Sequence, residues 1–348
     1  MDTTYSESKN KIEKEQQNKL NHLESIKSTY VLKSIFSYLH KKKSLEIIQK
    51  NKKLQEKLKI SLNDYKKYSE KYSTIEIEII PIKSKKGNFI HICRNEKKYY
   101  RIYFDNNKKK VKRDYLTKDD DVKKIKIVID CKVKSFFALF EYCNVNESIN
   151  FTKFSRNNIM NMSYMFNNCH SLKEINFYKY NTENVIDMSN MFKECSSLKK
   201  LDLSQFNTKN VIKMNHLFFY CSSLKNLIFS NFVTEKVQDM SYMFYECSAL
   251  EKLNLMHFNT VTVTNMKGMF WGCSSIKEIL YKFDTAKVTD MTKMFCECSS
   301  LEDLNISDFN VFNVKYMKSM FCGCSSELIK KIKAQNKNIS DEAFILLY

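Results

Sequence analysis

Two short stretches, CEC at 296–298 and CGC at 322–324, hold the densest grouping of soft ligands in the chain. Stacked on successive turns of a repeating structure, Cys296, Cys298, Cys322 and Cys324 would offer four sulfurs to a soft metal or a redox couple. Most of the other cysteines belong to one column with Cys298 and Cys324: Cys169, Cys195, Cys221, Cys247 and Cys273. Methionines run beside them at 162, 188, 214, 240, 266, 291 and 317, and thioether sulfur suits Cu(I). The company these sulfurs keep argues for packing instead. Phenylalanine follows in register at 166, 192, 218, 244, 270, 295 and 321, and Met188, Met191, Phe192 and Cys195 fall at i, i+3, i+4 and i+7, one face of a short helix. The columns therefore read as core, with no metal and no cofactor. The cysteines read as small buried hydrophobes on helices that hold neighbouring thiols too far apart for easy bridging.

The position of Cys296 and Cys322, one after the Phe column, carries Phe219, Tyr245 and Trp271 on the three preceding turns and Asn167 and Lys193 before those. This aromatic and thiol stripe reads either as half-buried between neighbouring helices or as a patch for a partner, since aromatic clusters mark binding hot spots. Catalytic signatures are absent. Four glycines, at 87, 268, 272 and 323, cannot build a phosphate-cradling loop or a dinucleotide fingerprint. The six histidines occupy different columns, and neither an H-E-x-x-H pair nor a G-x-S-x-G elbow occurs. The chain reads as non-enzymatic.

The elements that position these columns follow from the period. The step is 26 residues, broken once by a step of 25 between Met266 and Met291, and a degenerate earlier turn is visible in Phe136, Phe140 and Cys143. Each unit sets a short helix, with Asp187 and its counterparts Asn161, Asp239, Asn265 and Asp290 as N-cap candidates, before a short strand. Leu198, Leu201 and Leu203 mark the buried side of that strand. One unit cannot cover its own apolar side, so the units must stack. The expected fold is an α/β repeat solenoid with one short strand and one short helix per turn, spanning 125–348. A helical cap from about residue 326, marked by Leu328, Ile329 and Ile332, closes its end. Met188, Phe192, Cys195, Leu198 and Leu201 form the structural ladder. Outward strand positions give one column of Glu174, Lys200, Asn226, Lys252, Glu278 and Asp303. The next holds Asn176, Asp202, Ile228, Asn254, Leu280 and Asn305. Asn176, Asp202, Asn254 and Asn305 are candidate partner contacts, and they equally suit plain solvation.

Units such as MSNMFKECSSLKKLDLSQFNT, from Met188, resemble the 26-residue repeats of the BspA-like surface-protein group of leucine-rich repeats. The resemblance covers roughly residues 125–348 and departs from the pattern at ILYKFDT, where one residue is missing from the strand-to-loop step. It implies a binding or adhesion module. Surface display is expected only by that analogy, because the polar N-terminus shows no secretory signal and no apolar run long enough to span a membrane; a cytoplasmic location is the reading of the sequence.

The formal charge of +19 is confined to the N-terminal third: residues 1–134 carry 35 Lys and Arg against 18 Asp and Glu, the remainder 23 against 21. A nucleic-acid or anionic-membrane tether is one consequence; solvated lysines are the other. Residues 1–28 read as a polar helix or a disordered lead, and 29–73 as a small helical segment. Within it, IFSYL, a polar break and NKKLQEKL resemble an F-box, although the leading Leu-Pro and the tryptophan of the last helix are missing. The resemblance implies docking of a cullin ubiquitin-ligase adaptor through residues 30–58, with Leu39 at the contact. Residues 74–124 alternate in strand fashion and form a β-rich segment leading into the solenoid. Together these readings give a repeat module that presents extended surface to a protein partner, with a ubiquitin-ligase substrate receptor and a surface adhesin as the rivals.

Overall fold

The computed structural model describes residues 23–38, 48, 51–59, 61, 63–64, 67, 72–105, 107–177, 180–230 and 232–345. The chain divides into two compact units, 1–72 and 73–348. In the first, α1 (Thr29–Tyr38) and α2 (Lys52–Leu58) are described. Leu32, Phe36, Ile48, Leu54 and Leu58 make its small core. Asn51 caps α2 by accepting from the Leu54 N–H at 3.0 Å, and Lys59 ends it in the left-handed region. Leu39, the residue on which the F-box reading turns, lies outside the described residues.

The second unit opens with strands that the alternating sequence announces. β1 (Ile75–Pro81) buries Ile75, Ile77 and Ile79 and leaves Glu76 and Glu78 half exposed. β2 (Gly87–Asn88) pairs with β4 (Tyr115–Leu116). β3 (Tyr100–Phe104) and β5 (Ile125–Ile129) complete the set, and β5 lies antiparallel between β3 and β1. The solvent-side charges of β1 and β5 are matched, Lys126 to Glu76 at 2.7 Å and Lys124 to Glu78 at 3.5 Å. On its other edge β1 pairs antiparallel with β6 (Asn146–Lys153), which pairs in parallel with β7 (Glu174–Phe177). The segment expected as a β-rich lead is thus the start of one five-stranded sheet, β3-β5-β1-β6-β7, that continues into the repeats. Residues 125–129, expected to begin the solenoid, belong to its antiparallel part. The parallel stacking of turns starts later, at the bridge between Ser135 and Asn161. This arrangement covers the edge that a first repeat would otherwise expose.

From there the chain is a repeat stack. Bridges join Asn161, Asp187, Lys213, Asp239, Asn265, Asp290 and Tyr316 in parallel, one per turn. Short strands follow the same step: β8 (Lys200–Asp202) with β9 (Asn226–Ile228), and β10 (Lys252–Leu255) with β11 (Glu278–Tyr281). The phenylalanine column becomes a stack of near-parallel rings from Phe140 to Phe321 with centroids 5.3–5.7 Å apart. At the far end α3 (Ser326–Gln335), capped by Ser325, buries Leu328 and Ile332. A 3₁₀ turn, Asp341–Phe344, then places Phe344 on Phe321 at 5.6 Å, so the stack continues one ring beyond the last repeat.

The expected helix of each unit is not a helix. No described residue between 133 and 325 is helical. Met188–Cys195 forms three overlapping four-residue turns, with N–H donated from Met191 to the Met188 carbonyl, Lys193 to Asn190 and Cys195 to Phe192 at 3.2–3.3 Å. The intervening N–H groups point to the next turn of the chain: Met188 to the Lys213 carbonyl (3.0 Å), Asn190 to Asn215 (3.1 Å), Phe192 to Leu217 (3.0 Å) and Glu194 to Phe219 (2.6 Å). Two residues per unit take positive φ to make this possible, Asn190 at 57° and Glu194 at 59° here. Such a conformation costs a non-glycine residue about 1 kcal/mol or more, and the bonds to the neighbouring turn offset it. Gly268, Gly272 and Gly323 fall in these same columns. Over eight residues a four-residue turn and a 3.6-residue helix return side chains to the same side, which is why the spacing alone reads as helix. The capping column is corrected with it: the Asp187 carboxylate accepts from the Ser189 N–H two residues on (2.9 Å), an Asx turn, as Asn161, Asp239, Asn265 and Asp290 do in their units.

Candidate functional site

Each unit has two sides on which function could be written, the turn flank and the strand face. Inside them, Met188, Phe192, Cys195, Leu198 and Leu201 are all buried in one continuous core. Every ladder thiol donates to the carbonyl of the Phe in the preceding turn, from Cys169 to Phe140 at 2.9 Å through Cys324 to Phe295 at 3.2 Å. Neighbouring turns lie closer than packed helices would, yet these cysteines are free thiols. Burial pushes the thiols of Cys169, Cys221 and Cys273 up to about 12.

The four sulfurs at 296–298 and 322–324 do not converge as one group, although the Cys296 and Cys322 thiols meet in a side-chain hydrogen bond. Cys298 and Cys324 face the core and bond to Phe270 and Phe295, whereas Cys296 and Cys322 are buried outside that core cluster. Alternate residues of a turn point to opposite sides, so each CxC is split. Among the described residues no grouping of three or more His, Cys, Asp or Glu could hold a metal.

On the flank, Phe219, Tyr245 and Trp271 are half-buried and brought together. Phe219 stacks on Tyr245 at 4.4 Å, and Tyr245 meets Trp271 edge to face at 5.0 Å. Lys193 lies over Phe219 at 5.0 Å and Lys293 over Trp271 at 4.0 Å, so cations of the chain itself cover both ends of the array. The rings are thus largely spent on one another. The Trp271 indole N–H is buried and has no hydrogen-bond partner among the described residues.

The strand face is different. Asn176, Asp202, Asn254 and Asn305 are exposed on it, on four of the six turns of their column. Three of them have a structural duty that alternation could not reveal: Asp202, Asn254 and Asn305 accept from the N–H two residues on, at 2.9–3.1 Å, and so turn the chain out of the strand. Asn176 donates to Glu174 at 2.9 Å. Two open hollows lie on this face. One of about 810 Å³ is lined by Asn176, Phe177, Asp202 and Gln205. The other, of about 990 Å³, spans β10, β11 and residues 302–309. It sits where the repeat loses a residue: Leu255 pairs with Tyr281 after 26 residues, while the turn carbonyl partners Thr260 and Thr285 are 25 apart.

Two buried features escaped the sequence reading. Thr182, Thr208, Thr234, Thr260 and Thr285 each donate a hydroxyl to a backbone carbonyl of the next turn at 2.7–3.0 Å. Their regular spacing was the available signal. Arg156 is fully buried where the antiparallel strands meet the first turns, donating to the Asp130 carbonyl at 2.8 Å; burial lowers its pKa to about 10, so it remains a cation at neutral pH.

Stacked turns joined by parallel bridges define a repeat protein. The family model described as "Mycoplasma protein of unknown function, DUF285" matches residues 133–255 and 249–343, and the chain belongs to that family. That match begins after residues 30–58. Solved structures similar to the chain include a leucine-rich repeat protein from Eubacterium ventriosum, 21% identical over 48% of this chain and 40% of the other, with a TM-score of 0.33. A second, from Bacteroides ovatus, is 15% identical over 60% and 83%, with a TM-score of 0.17. The chain thus spans 40% of the first of these proteins. No curated protein matches it. No helix among the described residues is long and apolar enough to cross a membrane.

Proposed function

We propose that the protein is a non-enzymatic recognition module that meets an extended macromolecular partner, a protein, along its strand face. The observation that carries this reading is that both large hollows lie on that face, beside side chains repeated once per turn. A surface that advances by one strand spacing per repeat suits a partner that is itself extended. Exposed Ile228 and Leu280, in the same column as the asparagines, and exposed Met256 supply apolar contact on this face. The flank aromatics, the other candidate patch, meet one another beneath Lys193 and Lys293, which favours the strand face over them. An adhesin of the BspA-like kind would use the same face.

The test is a comparison of surface variants in a pull-down from the source cell. Asn176→Arg and Leu280→Arg, each melting like the parent, lose the retained protein partner, while Tyr220→Arg on the flank keeps it. The reverse pattern would move recognition to the flank. Recovery of ubiquitin-ligase adaptor subunits, lost on deleting residues 1–72 and indifferent to all three substitutions, would make the F-box-like segment the docking element.

A further inference from the structure

We infer that the larger hollow, over β10, β11 and residues 302–309, takes a lysine-rich extended peptide segment of the partner, an assignment that rests on the strand face being the recognition surface. The first ground is charge. Beyond residue 134 the chain is nearly neutral, 23 Lys and Arg against 21 Asp and Glu, and this hollow is lined by Glu278, Asp284, Glu302, Asp303 and Asp308 against Lys252, Lys277, Lys282 and His257. Lys252 is already paired with Glu278 at 3.1 Å. The side formed by the last turn, residues 301–309, carries three carboxylates, with Lys331 beside them donating to the Glu302 carbonyl at 3.2 Å. Tyr281, on the floor, reads the same field: burial first, then the charges of Asp303 and Asp308, hold its hydroxyl well above the usual phenol range.

The second ground is the opened ladder. β11 pairs with β10 only. The N–H groups of Leu304 and Ile306, which would continue the sheet, donate instead to the side chains of Asp303 (3.0 Å) and Gln335 (2.8 Å), and the Asn305 carbonyl accepts from the Tyr281 hydroxyl. The hollow lies at this break, beside the position between Tyr281 and Phe283 where the repeat is one residue short; the ladder also breaks between β7 and β8 and between β9 and β10, where no residue is missing. Its floor offers exposed Leu280 and Met256 to the methylene stems of lysine, and its rim offers the carboxylates to the ammonium groups. The smaller hollow has one carboxylate, Asp202, and no lysine, so it lacks this preference.

The probe is a fluorescein-labelled octalysine peptide titrated by anisotropy into the full chain. Saturable binding against the overall positive charge is expected. It weakens about tenfold or more in the Glu302→Gln, Asp303→Asn, Asp308→Asn triple variant, and it is unchanged by Gln205→Ala in the other hollow. Asparagine at 303 keeps the acceptor that Leu304 uses. Absent binding, or equal binding by the triple variant, overturns the assignment. Should the triple variant melt early, carbodiimide coupling of octalysine to the parent chain decides: adducts at Glu302, Asp303 or Asp308 support the assignment, and adducts confined elsewhere overturn it. A partner that is lost by Asn176→Arg, in a protein that ignores octalysine, sinks this inference and leaves the strand-face reading standing.

Discussion

The turn flank and the strand face are built from the same repeat, yet they use their side chains in opposite ways. On the flank, backbone and side chain alike are consumed by the neighbouring turn: N–H groups bond forward, the rings of Phe219, Tyr245 and Trp271 meet one another, and Lys193 and Lys293 cover the ends. On the strand face the alternate positions project away from the stack, one per turn, around open hollows. An aromatic cluster is therefore not in itself a binding patch. What matters is how much of each ring the fold has already used.

Substitutions separate the two sides by the size of their effect. The largest belongs to the core shared by both. Phe218→Ala removes a fully buried ring stacked between Phe192 and Phe244 and should cost about 3–5 kcal/mol in chemical denaturation. The ladder thiols make the same point through pH. Their pKa is raised by burial relative to the unfolded chain, so the folded state holds protons that the unfolded state gives up. Their contribution is fully present below the unfolded thiol range, near 8.5, and is lost as pH rises through it toward about 12. Thermal unfolding should fall steeply on the alkaline side, and less steeply in Cys221→Ala after allowance for its lower starting point.

A smaller effect tests the flank backbone. Gly268 has φ 58°, and an added Cβ would lie 2.6 Å from the Tyr242 ring. Gly268→Ala should destabilise by about 1–3 kcal/mol, beyond the ordinary cost of a left-handed alanine. Leu280→Lys on the strand face should change stability by only about 0.5 kcal/mol or less while abolishing partner binding; a large loss of stability would show that the face is structural after all. The smallest effect is that of His216. Burial, then Lys193, lowers its pKa, so the folded chain binds its proton less readily than the unfolded chain. Stability should decline as pH falls below about 6.5, and His216→Asn, tolerant of φ 57°, should flatten that decline.

The stack was legible in the sequence because its signal is repetition: Met, Phe and Cys columns seven turns deep, and leucines that mark the strands. The turn type was not, since eight residues with i, i+3, i+4 and i+7 spacing satisfy a helix and a chain of four-residue turns equally. Only the glycines at 268, 272 and 323, standing in columns that also hold Asn, His, Tyr and Glu, hinted at positive φ. The β-rich segment showed its strands by alternation, but a sheet shared with the repeats depends on pairing between residues as far apart as Ile77 and Phe151, which local pattern does not carry. The strand-face asparagines illustrate the limit for sites. Exposure was readable from alternation, whereas the Asx turns that occupy Asp202, Asn254 and Asn305 depend on how each strand ends.

The claim on which the comparison stands is that the flank is bonded turn to turn rather than coiled into helices, and amide hydrogen exchange over 188–195 tests it most directly. Bonds from Met188 and Asn190 to the next turn predict slow exchange at both, matching Phe192 and Glu194. Fast exchange at Met188 and Asn190 beside slow exchange from Phe192 onward is the signature of a short helix with a free first turn, and it would contradict the account.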